Sequence, residues 1–113
     1  MANYRIALTA DTAATLLCDV HKPRTLDDFF ATLNAYGGFG GGTLTYLLST
    51  DGGTTKTTMK DISGSAYSTT AADAVNVAMG VANHNTSDQI VQIYGALSGS
   101  TNPTLTIDVL TNT

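Results

Sequence analysis

Apolar and polar residues alternate with a period of two along most of this chain. At Thr104 to Leu110, Leu105, Ile107 and Val109 point one way and Thr104, Thr106 and Asp108 the other. Successive side chains of a strand point to opposite faces, so this pattern predicts a strand with one face buried. The same reading places strands at Tyr4 to Ala10, Thr43 to Ser49, Asp73 to Gly80 and Gln89 to Ala96; Ala14 to Val20 is an apolar run short enough for a strand, Thr54 to Asp61 a polar strand returning after a turn, and Tyr67 to Thr70 a short polar extended piece. The breaks between them are rich in turn formers: Asp11-Thr12, His21-Lys22-Pro23-Arg24, Asp51-Gly52-Gly53, Ser63-Gly64-Ser65, a polar loop from Val81 to Asp88, and Ser98 to Pro103. Proline supplies no ladder donor, and Asp-Gly suits a tight reversal.

Residues 25–36 fit two patterns. As a helix, Thr25 caps and Leu26, Phe29, Phe30 and Leu33 form one stripe. As a strand, Phe29, Ala31, Leu33 and Ala35 oppose Phe30, Thr32, Asn34 and Tyr36. The β context on the C-terminal side favours the strand, paired with Gly42–Ser49 through the Gly37 to Gly42 loop. About eight short strands at regular spacing predict an all-β fold, an antiparallel two-sheet β-sandwich of jelly-roll or Greek-key type. The 113 residues make one domain, 1–113, with residues 1–10 a candidate N-terminal arm.

Composition narrows the function classes. Hydrophobic residues are 42% and charged residues 12%, which argues against disorder driven by charge. The net charge is −4 and the five basic residues are scattered, so a nucleic-acid partner is not expected. No apolar run approaches the ~20 residues a membrane helix needs, and no signal-peptide core follows Met1, so neither membrane insertion nor export is expected.

Each candidate for chemistry has a simpler structural reading. Cys18 is the one cysteine, in an apolar run, and reads as a small buried hydrophobe. The glycines of 37–42 lack the helix start and lysine of a phosphate loop. Asp51 has no second acid in its turn, whereas calcium needs six to eight oxygens. His21 and His84 lie in separate predicted loops without metal-ligand spacing, even with Asp88 near His84. No serine sits in a nucleophile elbow; Leu97-Ser98-Gly99-Ser100 does not match one. Tyr4, Tyr36, Tyr46, Tyr67 and Tyr94 could stack on sugars, but packing is their ordinary role. No catalytic, cofactor-binding or metal residue is therefore assigned, and no cofactor is expected.

Several segments together carry a family resemblance. Phe39-Gly40-Gly41-Gly42-Thr43-Leu44-Thr45-Tyr46 leads into Leu48-Ser49-Thr50-Asp51-Gly52-Gly53-Thr54-Thr55, and then come the alternating strand Ala74 to Met79 and Gln92-Ile93-Tyr94-Gly95-Ala96-Leu97-Ser98-Gly99-Ser100-Thr101-Asn102-Pro103-Thr104-Leu105-Thr106-Ile107. Over residues 37 to 110 the chain resembles the small β-sandwich structural proteins of tailed bacteriophages. That family often carries a Trp soon after the Asp-Gly-Gly turn, where this chain has Thr54-Thr55-Lys56-Thr57. The resemblance implies a non-enzymatic virion protein, foremost a head decoration (cement) protein. It would be made in the host cytoplasm, reside on the capsid surface, bind the major capsid protein, and self-associate as a dimer or trimer. The alternative is a neck or tail protein, or a receptor- or carbohydrate-binding β-sandwich module. The carbohydrate reading requires two or more exposed tyrosine rings near Asn or Asp.

Overall fold

The structure, a computed structural model, describes residues 2–22, 30–49, 52–60, 65–78 and 89–111. Among these are nine strands: β1 Ala2–Leu8, β2 Thr12–Lys22, β3 Phe30–Gly38, β4 Thr43–Ser49, β5 Thr57–Thr58, β6 Ser68–Thr69, β7 Asp73–Ala78, β8 Gln89–Ser98 and β9 Thr104–Thr111. They form two antiparallel sheets. Sheet A has the order β1-β9-β3-β7, and sheet B the order β2-β8-β4-β5, with β6 also on β4. The pairings β1·β9, β2·β8, β3·β7 and β4·β5/β6 are nested one inside the next. A chain folded as one long hairpin gives such nesting; wrapping it so that β9 meets β3 and β8 meets β4 completes a jelly roll.

β5 and β6 act as one interrupted strand. Both lie on the same edge of β4, β5 against Leu47–Leu48 and β6 against Leu44–Thr45. Between them the Met59 amide donates to the Tyr46 carbonyl and the Tyr67 amide to the Met59 carbonyl, both at 2.9 Å. A Lys60–Ala66 bridge closes the excursion. Counting this pair once gives the eight positions of a jelly roll.

The period-two pattern sets the core. Leu33 and Ala35 of β3, Leu44 and Tyr46 of β4, Val91, Ile93 and Leu97 of β8, and Leu105, Ile107 and Val109 of β9 meet between the sheets, almost without solvent contact. Burial of each large aliphatic side chain contributes about 1.5–3 kcal/mol. β2 departs from simple alternation. Consecutive Leu17 and Cys18 are both buried, and the β2–β8 register shifts between Leu16 and Cys18. A bulge of this kind re-aims one side chain, so Leu16 is left 43% exposed outside.

Several expectations change in detail. Residues 30–38 are strand, but β3 does not pair with β4. β3 belongs to sheet A and β4 to sheet B, so the glycine-rich link is a crossing between sheets and not a hairpin. Its geometry explains the composition. The Gly42 amide donates to the Phe39 carbonyl at 2.9 Å, and both central residues, Gly40 and Gly41, take positive φ. That is the mirror-image turn that glycine adopts without steric cost. β2 continues through His21 and Lys22, which pair with Ile90 and Gln89, so His21 is in a strand and not a loop. Residues 2–8 are taken up as β1, paired with β9 along their whole length. The other helix-or-strand positions, 25–29, and the loop 81–88 with His84 and Asp88 lie outside the described residues, as does Asp51.

The crossing gives a paired test. A Cβ at Gly40 would collide with the Thr101 backbone, while one at Gly41 meets open space. Gly40→Ala is expected to cost about 2–4 kcal/mol and Gly41→Ala about 1 kcal/mol, the left-handed backbone alone. Urea denaturation of the two variants measures both; equal losses would refute the close-approach account.

Candidate functional site

Three clusters of polar side chains are built on this scaffold. The first is at the end where the chain crosses between sheets. The Ser100 amide donates to Asp11 Oδ1 at 3.0 Å, and the Ser100 hydroxyl donates to the same oxygen. These bonds favour the ionised form and hold the Asp11 carboxyl below its ordinary pKa. The Thr101 amide donates to the Gly40 carbonyl at 2.9 Å. The turns at 9–11, 39–42 and 99–103 are thus tied together.

The second cluster lies on the outer face of sheet A. Arg5 of β1 donates through Nε to Asp108 Oδ1 at 2.8 Å and through an Nη to Oδ2 at 3.2 Å. Tyr36 of β3 donates its hydroxyl to Oδ2 at 3.1 Å. Asp108 on β9 therefore gathers donors from both neighbouring strands. The hydrogen bond from Arg5 lowers its pKa first, and the one from Tyr36 adds to this. The Arg5 side chain is 70% exposed, so the pair is screened and contributes little to stability.

The third cluster covers the outer face of sheet B. The Tyr94 hydroxyl donates to Gln92 Oε1 at 2.6 Å, and Gln92 Nε2 donates to Asp19 Oδ1 at 2.9 Å. The 52–56 segment folds over Tyr94. A Cβ at Gly53 would sit 2.6 Å from the Tyr94 hydroxyl, and the Lys56 ammonium lies 5.0 Å from the ring centre. Lys56 also donates to the Gly53 carbonyl at 2.8 Å, which fixes the segment in place. Sequence reasoning assigned Gly53 to a turn; its contact with Tyr94 involves a strand about forty residues away and has no local signal.

The tyrosines do not form a sugar platform. Tyr46 and Tyr67 stack at 5.8 Å, with planes 16° apart, but both rings are buried. Tyr94 is buried under the 52–56 segment. Tyr4 packs against the core and donates to the Asp19 carbonyl at 3.2 Å, whereas Tyr36 lies on the opposite, outer face of sheet A. Among the described residues no two exposed tyrosine rings stand together.

Cys18 is a buried free thiol, pushed up to about 12, first by burial and then by the Asp19 charge. A thiol held neutral in this way is a poor nucleophile. Among the described residues no three His, Cys, Asp or Glu side chains gather as a metal site, and no helix is long and apolar enough to cross a membrane. No family model, curated protein or solved structure matches the chain.

Among the described residues two buried hydroxyls, those of Tyr46 and Thr111, have no hydrogen-bond partner. Tyr46, fully buried, is the larger of the two. Burial, with Tyr67 and Asp73 near, pushes its pKa well up. An unpaired buried hydroxyl costs about 1–3 kcal/mol, so Tyr46→Phe is expected to raise stability by about 1 kcal/mol in chemical denaturation. A loss of stability would mean that the hydroxyl has a partner.

Asp108 sets a pH dependence. Its folded pKa lies below the ordinary 3.8, so its contribution is present above that value and fades as pH falls through the lowered one. Asp108→Asn is expected to flatten that part of the acid limb, measured as melting temperature against pH from 5 down to about 2. An unchanged limb would assign the acid sensitivity elsewhere.

Proposed function

We propose that this chain is a non-enzymatic structural protein of a tailed-phage virion, foremost a decoration protein that binds the head shell and stabilises it. The observation that carries the reading is spatial. Two of the segments that bear the family resemblance, 39–46 and 92–107, are far apart in sequence yet pack on each other at one end of the sandwich. The resemblance therefore concerns one structural device and not two unrelated turns.

The mechanism is adhesion. A protein that binds only the assembled lattice stabilises it by mass action, and many copies at symmetry-related positions multiply the effect. The partner is the major capsid protein, and the location is the capsid surface. Self-association as a dimer or trimer suits a symmetric lattice. The outer sheet faces offer short hydroxyl and amide side chains, among them Thr43, Thr45, Thr106 and Asn34, on rigid strands. The carbohydrate-binding alternative has less support, because the tyrosines lack the exposed pair that a sugar site needs.

Co-sedimentation with heads of the cognate phage that lack decoration is the test. Saturable pelleting at a fixed ratio to capsomers, with a raised shell melting temperature, is expected. Pelleting with tails alone would move the protein to the tail. Binding to neither, together with specific hits on a glycan array, would replace the reading by the carbohydrate one.

A further inference from the structure

The edges of the two sheets are not equivalent. Sheet B ends in β2, whose register breaks twice, and in β5 and β6, which have two residues each. Bulges and very short strands are ways of blunting an edge against further pairing. Sheet A ends in β7 and β1. β7 is six residues long and opens with a carboxylate, Asp73. β1 has none of these guards. It keeps an unbroken register with β9 from Ala2 to Leu8 and contains no proline. Its one charge, Arg5, is drawn onto the sheet face by Asp108. No described segment pairs with its outer edge. Tyr4 and Ile6 pack against the core from this edge while remaining only half-buried.

We propose that the free edge of β1 pairs antiparallel with the β1 edge of a second copy, joining the two A sheets into one. An unguarded regular edge offers backbone donors and acceptors to an extended strand. The occupant is a second copy because the strand is complementary to itself. About a two-fold axis, the half-buried flank of Tyr4 and Ile6 meets the same flank of the other copy, and both core faces run on without a break. Charge restricts the register. An axis at Arg5 would set two guanidinium groups opposite each other, and like charges in that position are unfavourable. An axis at Tyr4 sets Arg5 against Asn3 of the second copy, and an axis at Ile6 sets it against Ala7. Asn3 and Ala7 are exposed on the same outer face as Arg5. This gives the proposed self-association an interface, and it rests on that part of the reading alone.

The test is light scattering on gel filtration across a concentration series, with the full chain and no capsid present. The wild type is expected to dimerise as concentration rises. With the axis at Tyr4, Asn3→Lys places a second cation against Arg5 twice per dimer and weakens association about tenfold. With the axis at Ile6, Ala7→Lys does so instead. Ala74→Lys, exposed on the opposite edge strand, is expected to leave association unchanged. Should a lysine variant fail to fold, Asn3→Asp and Ala7→Asp remain: the one opposite Arg5 tightens the dimer. A monomer at every concentration overturns the proposal, as does an Ala74→Lys effect equal to the others or no response at positions 3 and 7. A dimer that does not pellet with heads keeps this interface and removes the capsid reading, while a monomer that pellets does the reverse.

Discussion

The structure depends on one close approach between backbones. At one end of the sandwich the chain passes from sheet to sheet four times, at 9–11, 39–42, 70–72 and 99–103. The first, second and fourth of these passages are tied together, and 39–42 lies so close to 98–101 that Gly40 and Gly42 have no room for a side chain. A Cβ at Gly37 would strike the Thr104 carbonyl, and one at Gly42 would come within 2.8 Å of the Ser100 Cβ. Gly37 also has φ of +102°, which L side chains rarely adopt. The nested pairings need this end closed, because β3 and β9 are neighbours in sheet A while their continuations β4 and β8 are neighbours in sheet B. If the crossings separated, both central ladders would lose their common starting register.

Around that constraint the sheets solve different problems. Sheet A is regular, and its outer face is organised by Asp108, which takes donors from strands on either side. Sheet B has a bulged edge strand and an interrupted one. It compensates by folding the 52–56 segment over its outer face, where Gly53 and Lys56 cover Tyr94. Tyr94 is thus buried although it points away from the core. A tyrosine can serve there because its ring takes the cation while its hydroxyl reaches Gln92.

Much of the architecture is legible in the sequence because the alternation is local. Leu105, Ile107 and Val109 identify the buried face of β9 without any knowledge of its partners. The same holds for Leu44 and Tyr46 in β4, and strand context decided correctly for 30–36. What was not legible depends on pairing at long range. A glycine-rich link between two strands looks alike whether it closes a hairpin or changes sheets; only the contacts of Gly40 and Gly42 with 98–101 tell them apart. The paired burial of Leu17 and Cys18 needs the bulge opposite β8, which no period-two pattern contains. Of the site, the turn chemistry could be read, whereas the Asp108 and Tyr94 networks could not, since each joins residues from separate strands.

The nested winding also determines where interaction can occur. In a jelly roll the central strands β9, β3, β8 and β4 spend both edges on internal ladders. Their side chains alternate between core and outer face, so they can act only through that face. New backbone pairing is left to the outermost strands, and there the chain treats its edges unequally. It breaks β2 twice, divides β5 from β6, and keeps β1 straight. Bulges at β2 are also what put Leu17 and Cys18 together in the core, so packing accounts for that irregularity as well as edge protection. β9 alternates strictly from Leu105 to Val109, and β1 keeps one register with it from Ala2 to Leu8. A regular central strand does not by itself impose this, since β8 is as regular against β4 while its other neighbour β2 is bulged; the unbroken outer edge is therefore a property of β1's own residues.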